Sequence, residues 1–415
     1  MGTELEAAFA GTITQGMKIV AKSEKLEAKF IRIGVEKGEI VIMTRKGYGS
    51  LGIGKGLSTK INANIGTSPI VVDPIEEVEK AKVAEKFGAH TISDLSMGGD
   101  IDAIRKSIFA ATSLPITTVP IYQAVAEHQS LHKVSCRNLI NMIDKHSEEG
   151  VSSIVIHAGF TLKMLEKLKN QRRIMGMVSK GGNLTAAWMI EHQVENPFLE
   201  RFDEILKILR RRDVVLSLGN SMRSGCIHDL KDEPQILEIK MNSELAKKAN
   251  EQGVQVIIEG MGGHVNAGEI WKYVKYHKKI IGNRPLFVAG PLPIDVAVGY
   301  DHIAACVGAS IAAGAGADYL CYITPSEHLS LPNIDDVKQG VIAFRIAAHI
   351  GDSIKYGISK RDLELAKRRR NLDWEGQSHY ALYPEKMMSL NLQKNEACTM
   401  CGTYCAIKTM DKYLG

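Results

Sequence analysis

Three cysteines near the C-terminus have the spacing that most clearly suggests chemistry. Cys398 and Cys401 are separated by two residues, and Cys405 follows after three more. Three thiolates can bind three irons of a [4Fe–4S] cube and leave the fourth iron open to S-adenosylmethionine (SAM). One-electron reduction of SAM there would give a 5′-deoxyadenosyl radical able to abstract hydrogen from an unactivated carbon. The alternative is a structural zinc site, for which the distant His379 would have to supply a fourth ligand.

The middle of the chain contains the elements that would position such chemistry, because short β-rich segments alternate there with longer helical patterns. The candidate strands are residues 61–65, 91–95, 116–119, 153–156, 174–178, 214–218, 254–258, 286–289 and 319–323. The helical patterns between them include residues 75–87, 101–111, 136–149, 200–211 and 236–252. This alternation favours βαβ units and a parallel sheet. Nine strands are one more than an eight-stranded barrel uses, so one of the nine is extra.

We predict that these units close into a TIM (β/α)8 barrel of the α/β class, with a doubly wound open sheet as the alternative. No candidate strand is followed by the Gly-x-Gly-x-x-Gly fingerprint of dinucleotide-binding sheets. Polar residues and glycines follow seven strands, where a TIM barrel builds its active site. The chain is divided into an N-terminal domain (1–60), the barrel (61–345) and a charged C-terminal helical region with the cysteine motif (346–415).

Composition and charge exclude several other classes of protein. Hydrophobic residues make up 45% of the 415 residues, enough for a full core, and no apolar run reaches the ~18 residues of a membrane span. The net charge of +5 is too small to indicate nucleic-acid binding. No secretory signal is visible at the N-terminus. We therefore expect a cytoplasmic protein whose seven cysteines are reduced thiols, metal ligands or catalytic groups.

Several segments are specific enough to indicate a family. They are residues 62–68 (Asn-Ala-Asn-Ile-Gly-Thr-Ser), 94–96 (Asp-Leu-Ser), 119–124 (Val-Pro-Ile-Tyr-Gln-Ala), 156–159 (Ile-His-Ala-Gly), 290–292 (Gly-Pro-Leu), 299–302 (Gly-Tyr-Asp-His), 324–329 (Thr-Pro-Ser-Glu-His-Leu) and 373–375 (Asp-Trp-Glu). In these segments the chain resembles the phosphomethylpyrimidine synthase family, non-classical radical SAM enzymes that rearrange aminoimidazole ribotide. The resemblance runs from about residue 10 to the C-terminus.

The resemblance implies an N-terminal domain, a TIM barrel and a tail that carries a [4Fe–4S] cluster and uses SAM. It also implies a homodimer in which the tail of one subunit serves the partner's barrel, and an electron donor such as flavodoxin or ferredoxin. Matched motif by motif, it implies these substrate contacts: Asn64, Tyr122, His157, Ser179, Gly181, Asn220, Arg223 and Glu259. Amide, hydroxyl, guanidinium and glycine N–H groups suit the phosphate, hydroxyls and aminoimidazole of a ribotide.

His264 and His328 match two family histidines that bind a second metal, zinc or ferrous iron. Neutral imidazoles suit either ion. The bland interpretation of Asn64 and Ser179 is that they only satisfy backbone groups at strand ends. Cys226, in a glycine-flanked loop, is a candidate for substrate contact, whereas Cys321 is predicted to be a small buried hydrophobic residue.

The chain departs from the family pattern at several positions, mostly at predicted strand ends. The second cysteine gap is three residues instead of four, and a residue is added in Glu-Gly-Met-Gly-Gly-His-Val at 259–265. The substitutions include Lys180 for Arg, Asn220 for Asp, Cys226 for Ser and Phe287 for Tyr. A changed pocket on a retained scaffold favours the branch of the family that forms 5-hydroxybenzimidazole for anaerobic cobalamin synthesis. The alternative is formation of the thiamin pyrimidine from the same substrate.

Two proteins of other classes also fit part of the pattern. One is a non-catalytic, zinc-tailed barrel that acts as a binding module. The other is an ordinary TIM-barrel lyase or aldolase, which would need a Schiff-base lysine or a metal-bound enolate. Lys180 is the one lysine that the predicted strand ends place well for such a reaction.

Overall fold

The computed structural model describes residues 2–229, 231–390 and 397–414. The chain divides into two compact units, Met1–Lys355 and Tyr356–Gly415. Within the described ranges, no helix has both the length and the apolar character that crossing a membrane requires.

The first unit begins with three helices and a β-hairpin and continues as alternating strands and helices. The N-terminal elements are α1 (Glu4–Phe9), α2 (Gln15–Glu24), α3 (Ala28–Glu36), β1 (Ile40–Arg45) and β2 (Gly49–Gly54). The following elements are β3 (Lys60–Ile65), α4 (Pro74–Phe87), β4 (Thr91–Asp94), α5 (Ile101–Ala111), β5 (Ile116–Thr118), α6 (Pro120–His128), α7 (Cys136–Glu149), β6 (Ser153–Ile156), α8 (Leu162–Asn170), α9 (Lys180–His192), α10 (Pro197–Glu200), α11 (Phe202–Arg212), β7 (Val215–Leu218), α12 (Glu233–Glu251), β8 (Val256–Glu259), α13 (Ala267–Ile280), β9 (Leu286–Ala289), α14 (Asp301–Ala315), β10 (Tyr319–Cys321) and α15 (Ile334–Tyr356).

Strands β3 to β10 form a closed parallel barrel in which each strand pairs with the next and β10 pairs with β3. The TIM-barrel prediction is therefore confirmed. The strands read as nearly continuous buried runs, as expected for parallel strands covered by helices on the outside. Eight of the nine predicted strands correspond to barrel strands, with ends that differ by at most two residues.

The predicted strand at 174–178 is wrong. This segment is irregular chain between α8 and α9, and the side chains of Ile174 and Met175 are 70% and 53% exposed. The backbone N–H groups of Ile174 and Met175 donate to the Asp229 carboxylate at 2.7 and 2.9 Å. A distant carboxylate thus satisfies backbone groups that a strand would pair with its neighbours. The short apolar pattern alone does not reveal this partner.

Local sequence signals place the helices where the barrel needs them. In α4, the Asp73 side chain accepts from the N–H groups of Ile75 and Glu76, Pro74 occupies the first turn, and Gly88 ends the helix at φ 99°. The five predicted helices are confirmed, although three begin elsewhere: α4 starts at Pro74, α11 at Phe202 and α12 at Glu233. Such caps fix the residue at which the loop after a strand ends and the next helix begins.

The N-terminal hairpin lies against the N-terminal ends of the barrel strands. Val41, Met43 and Ile53 of the hairpin form one buried cluster with Val215, Ile257 and Tyr319 of strands β7, β8 and β10. The amide of Gln255 also accepts from the N–H of Ile42 at 2.7 Å and donates to its carbonyl at 3.1 Å. The hairpin thus covers one end of the barrel and leaves the carboxyl ends of the strands for a site.

The predicted domain boundaries at residues 60 and 345 stay predictions. Residue 60 is the first residue of β3, and residue 345 lies inside α15. The second unit contains α16 (Lys360–Arg370), α17 (Trp374–Tyr380), α18 (Pro384–Leu390) and α19 (Ala406–Leu414). Its described part is helical, as the charged composition of this region suggested.

The hairpin cluster generates a stability prediction. Ile53→Ala should lower the free energy of unfolding by about 2–5 kcal/mol, because Ile53 is fully buried and its removal leaves a cavity beneath the barrel. The measurement is urea denaturation followed by circular dichroism. Ile190→Ala, the same change at a side chain that is 58% exposed, should have an effect within about 0.5 kcal/mol. Equal losses in the two variants would contradict a packed role for the hairpin.

Candidate active site

A cavity of about 120 Å³ lies at the carboxyl ends of the barrel strands. Seven of the eight predicted substrate contacts line it: Asn64, Tyr122, His157, Ser179, Asn220, Arg223 and Glu259. They come from four strand ends, two loops and helix α6, so no local segment of the sequence could assemble them. The barrel brings them together because all its strands point the same way. Their contacts with substrate stay predictions.

The imidazole of His157 lies between two glycines. A Cβ atom at Gly181 would lie 2.3 Å from its Cε1 atom, and a Cβ at Gly219 would lie 2.6 Å from Nε2. The eighth predicted contact, Gly181, therefore has a steric role beside this ring, and its contact with substrate stays a prediction. Both loops have to approach closely to bury His157 in the wall of the cavity.

Ser179 orients the same imidazole. Its hydroxyl oxygen accepts from the N–H of Gly182 at 3.2 Å as the cap of α9 and lies 3.1 Å from Nε2 of His157. If the hydroxyl proton goes to Nε2, the ring proton sits on Nδ1. Nδ1 is buried and finds no hydrogen-bond partner among the described residues. In that tautomer the ring offers a buried N–H donor to a ligand.

Burial keeps several groups of the cavity in their neutral forms. It lowers the pKa of His157 to about 3, with a further contribution from the nearby positive charge of Arg223. Burial also raises the pKa of Glu259 and the pKa of Tyr122. For both of these acids Arg223 acts in the opposite direction, because a cation favours their charged forms. At neutral pH the cavity therefore contains a neutral histidine, a protonated tyrosine and one guanidinium.

Glu259 connects the last residues of β8 to the loop after β7. Its carboxylate accepts from the Ser217 hydroxyl at 3.1 Å and from the backbone N–H of Asn220. The Asn220 carbonyl in turn lies 3.5 Å from a terminal nitrogen of Arg223. The carboxyl group of Glu259 thus lies beside Asn220 and Arg223, two of the predicted substrate contacts.

Glu238 of α12 also fixes the backbone of the loop after β7, and the sequence did not reveal this role. Its two carboxylate oxygens accept from the N–H groups of Ser221 and Met222 at 2.6 and 2.8 Å. Burial nevertheless raises its pKa to about 7. A glutamate on a helix looks like a solvated residue in the sequence, and only the tertiary fold turns it inwards.

Cys321 was predicted to be a small buried hydrophobic residue, and the structure gives it a polar setting. The thiol is buried, lines the cavity and accepts from the Asn64 side-chain amide at 3.0 Å. Burial raises the pKa of the thiol to about 12, so it stays protonated. Asn64 also accepts from Asn62 at 2.7 Å, which fixes the orientation of its amide. Cys226, in contrast, does not line this cavity.

The two predicted metal-binding histidines are neighbours. The ring centroids of His264 and His328 are 5.1 Å apart. Nδ1 of His264 lies 2.6 Å from Oδ1 of Asp295, the carboxylate–histidine contact that orients an imidazole and leaves Nε2 for a metal. The donor set therefore fits zinc or ferrous iron. The binding of either ion stays a prediction.

The three cysteines of the tail lie in one compact turn. The backbone N–H groups of Cys401 and Gly402 donate to the carbonyl of Cys398 at 3.2 and 2.9 Å, and Cys405 follows a short 3-10 turn. The backbone N–H of Cys401 also donates to the Cys398 sulfur and lowers its pKa. The lowered pKa of Cys398 favours its thiolate, the form that binds iron, whereas the neighbouring Cys398 side chain raises the pKa of Cys401. The turn thus fits a cluster site with three protein ligands.

The closed (β/α)8 barrel, the polar cavity at the carboxyl ends of its strands and the three-cysteine turn of the tail fit the class of barrel-based radical SAM enzymes. Comparison with known proteins agrees with this class. A model of the Radical SAM ThiC family matches residues 3–412, and the chain belongs to that family. Membership implies a [4Fe–4S] cluster and SAM, and it favours the cluster over a structural zinc site in the tail.

Individual relatives cover the whole chain. It is similar to phosphomethylpyrimidine synthase from Caldanaerobacter subterraneus subsp. tengcongensis, with 47% identity over 100% of this chain and 98% of the relative. It is also similar to phosphomethylpyrimidine synthase from Dehalococcoides mccartyi, with 46% identity and the same coverage. Among solved structures it is similar to dihydropteroate synthase from Yersinia pestis, with a TM-score of 0.42 and 12% identity over 74% of this chain and 96% of that one, a likeness too weak to carry weight.

These names bear on the product predicted from the sequence. They favour the alternative, the thiamin pyrimidine, over the 5-hydroxybenzimidazole branch that the pocket departures suggested. They also favour an enzyme over the zinc-tailed binding module. For Lys180, the candidate lysine of an aldolase, the structure places Nζ 5.3 Å from the centre of the Tyr122 ring.

The buried carboxyl of Glu238 generates a pH prediction. Because its folded pKa of about 7 lies above the usual 4.5, the folded state keeps a proton that the unfolded state releases between these values. Stability should therefore fall as pH rises through this window, by roughly 3 kcal/mol in total. In Glu238→Gln this contribution is absent, so its free energy of unfolding should depend less on pH.

The measurement is urea denaturation of both proteins between about pH 5 and about pH 8. Glu251→Gln, at an exposed position at the end of the same helix, is the control and should follow the wild type. Parallel curves for the wild type and Glu238→Gln would show that Glu238 does not titrate in this range.

Proposed function

We propose that this protein is a radical SAM lyase that rearranges the carbon skeleton of aminoimidazole ribotide and forms the phosphorylated hydroxymethylpyrimidine of thiamin. One observation carries the proposal. The groups that the family resemblance assigns to this substrate line one buried cavity, in a chain 47% identical to a named phosphomethylpyrimidine synthase. The proposal includes a homodimer and a small electron donor such as flavodoxin or ferredoxin.

The polar parts of the substrate suit the groups of the cavity. The Arg223 guanidinium is a bidentate donor for a phosphate, and the N-terminal turn of α9 offers further N–H groups near Gly181. The amide of Asn64 and the hydroxyl of Ser179 suit the ribose or the exocyclic amine. Nδ1 of His157 adds a buried N–H donor with no competing partner among the described residues.

Proton transfers can be assigned to the groups whose pKa values the cavity shifts. Burial raises the pKa of Glu259, so its carboxyl keeps a proton more readily than a solvated glutamate does, and it can exchange that proton with a ligand. The neutral His157 has to act as a hydrogen-bond donor rather than as a cation. We infer that Glu259 is the acid–base group and that His157 positions the substrate.

The tail and the histidine pair would hold the cofactors. Cys398, Cys401 and Cys405 would bind the [4Fe–4S] cluster, and His264 and His328 the second metal. The cluster and SAM together supply a carbon-centred radical that can remove hydrogen from the sugar. The barrel residues have to exclude water and hold the ribotide in one orientation, so that the radical meets a single carbon.

A second product, 5-hydroxybenzimidazole, is favoured by one specific observation. Two of the departures from the family pattern, Asn220 and Phe287, line the same cavity as the assigned substrate contacts. A third, Lys180, lies against the Tyr122 ring. Such changes would alter how the cavity holds the imidazole ring and the ribose of the substrate, while the barrel itself stays the same. They would direct the radical to a different outcome from the same substrate.

A single product assay separates the two outcomes. The reconstituted enzyme, kept anaerobic, receives aminoimidazole ribotide, SAM and dithionite, and the products are identified by mass spectrometry. We expect the phosphorylated hydroxymethylpyrimidine. Detection of 5-hydroxybenzimidazole would instead assign the chain to the other branch, and absence of both products together with intact SAM cleavage would refute the substrate assignment.

Cluster ligation has its own prediction. Cys401→Ala should abolish SAM cleavage, because loss of one thiolate leaves an iron of the cube without its protein ligand. The far-ultraviolet circular dichroism spectrum should be unchanged, since the described tail has little buried core. Cys136→Ala, at a half-buried thiol on α7, is the matched control and should cleave SAM normally. Turnover by Cys401→Ala at the wild-type rate would disprove the cluster assignment.

A further inference from the structure

A separate group of potential metal ligands lies in the loop after β7, outside the cavity lining. The sulfur of Cys226, a ring nitrogen of His228 and a carboxylate oxygen of Asp295 all lie within 4.8 Å of one another. Asp295 follows β9, so the group joins two strand-end loops of the barrel. Its three members are a thiol, an imidazole and a carboxylate, which are the three kinds of side chain that bind zinc in proteins.

The loop is held in place by its own contacts. The backbone N–H of Ile227 donates to Asp295, at 3.0 Å from Oδ2 and 3.3 Å from Oδ1. Because Cys226 and His228 flank Ile227, this bond brings both side chains close to the carboxylate. The residue after His228 is also held in place, because the carboxylate of Asp229 accepts from the backbone N–H groups of Ile174 and Met175. The ligand atoms are therefore gathered by the fold rather than by an ion.

The close packing of the loop supports the same conclusion. A Cβ atom at Gly225 would lie 2.4 Å from a methyl carbon of Val178 and 2.6 Å from Cβ of Met175. The residue before Cys226 therefore has to be small for the loop to approach the 174–178 segment. On the other side His228 is exposed, which gives an ion access from solvent.

The donor set selects a class of metal. One sulfur, one nitrogen and one oxygen ligand suit Zn²⁺ and the neighbouring divalent transition metals, whereas Ca²⁺ and Mg²⁺ prefer oxygen alone. Three protein ligands leave one position of a tetrahedral ion for water. Cys226 stands where the family pattern has serine, which is a poor zinc ligand, so the sulfur ligand is a feature of this chain.

We propose that Cys226, His228 and Asp295 form a site for a divalent transition metal, Zn²⁺ above all, in addition to the sites implied by the family. The site does not depend on the identity of the product. Asp295 connects it to the histidine pair, because its Oδ1 lies 2.6 Å from Nδ1 of His264. The metal would thereby tie the loop that carries Arg223 to the loop after β9.

The test uses Co²⁺ as a probe, because a cobalt–thiolate bond has a charge-transfer absorption that nitrogen and oxygen ligands do not give. The full-length chain carries Cys398→Ser, Cys401→Ser and Cys405→Ser, so that the tail cannot supply the sulfur. Co²⁺ titration should give this absorption at one equivalent, and Zn²⁺ should remove it. Any Co²⁺ bound by His264 and His328 lacks a sulfur ligand and does not contribute.

Two further variants decide the ligand assignment. Adding Cys226→Ser should abolish the thiolate absorption, whereas adding Cys136→Ser, at another half-buried thiol, should leave it intact. His228→Ala, a change at an exposed side chain, should weaken Co²⁺ binding by about 10-fold or more. The proposal is overturned if the protein gives no thiolate absorption, or if the absorption survives Cys226→Ser. Unchanged affinity in His228→Ala would also overturn it.

Discussion

The positive charge of Arg223 lies among groups that burial drives toward their neutral forms, and the proposed chemistry depends on this contrast. Burial disfavours charge on His157, Tyr122 and Glu259, while the guanidinium favours the ionised forms of the two acids. An anionic ligand that neutralises Arg223 would remove its lowering effect on the pKa values of Glu259 and Tyr122. Ligand binding would then raise the pKa of Glu259 further and prepare it to carry a proton.

The loop that carries Arg223 is itself positioned by carboxylates. Glu238 accepts from two of its N–H groups, and Glu259 accepts from the N–H of Asn220. These acceptors replace the regular pairing that a strand would provide, so the loop is ordered without being part of the sheet. The hairpin at the other end of the barrel leaves this loop on the open face, where the proposed substrate would bind.

Much of this arrangement could be predicted from the sequence, and the failures have physical causes. Strand–helix alternation predicted the barrel, and the family resemblance, matched motif by motif, predicted seven of the residues that line the cavity. Parallel strands bring these residues together because they place their carboxyl ends at one end of the barrel. The segment 174–178 was mistaken for a strand because its backbone partner, Asp229, is some fifty residues away. Glu238 was missed, and the amide partner of the correctly predicted buried Cys321 was not foreseen, because both depend on tertiary contacts that no local pattern encodes.

The binding of aminoimidazole ribotide through Arg223 that we propose can be measured in the cluster-free protein. Isothermal titration of the ribotide into the wild type and Arg223→Met, with Arg137→Met at an exposed arginine as control, requires neither SAM nor a reductant. Loss of a charge-assisted hydrogen bond predicts a Kd at least about 10-fold higher in Arg223→Met and unchanged in the control. Equal affinity in all three proteins would contradict the account.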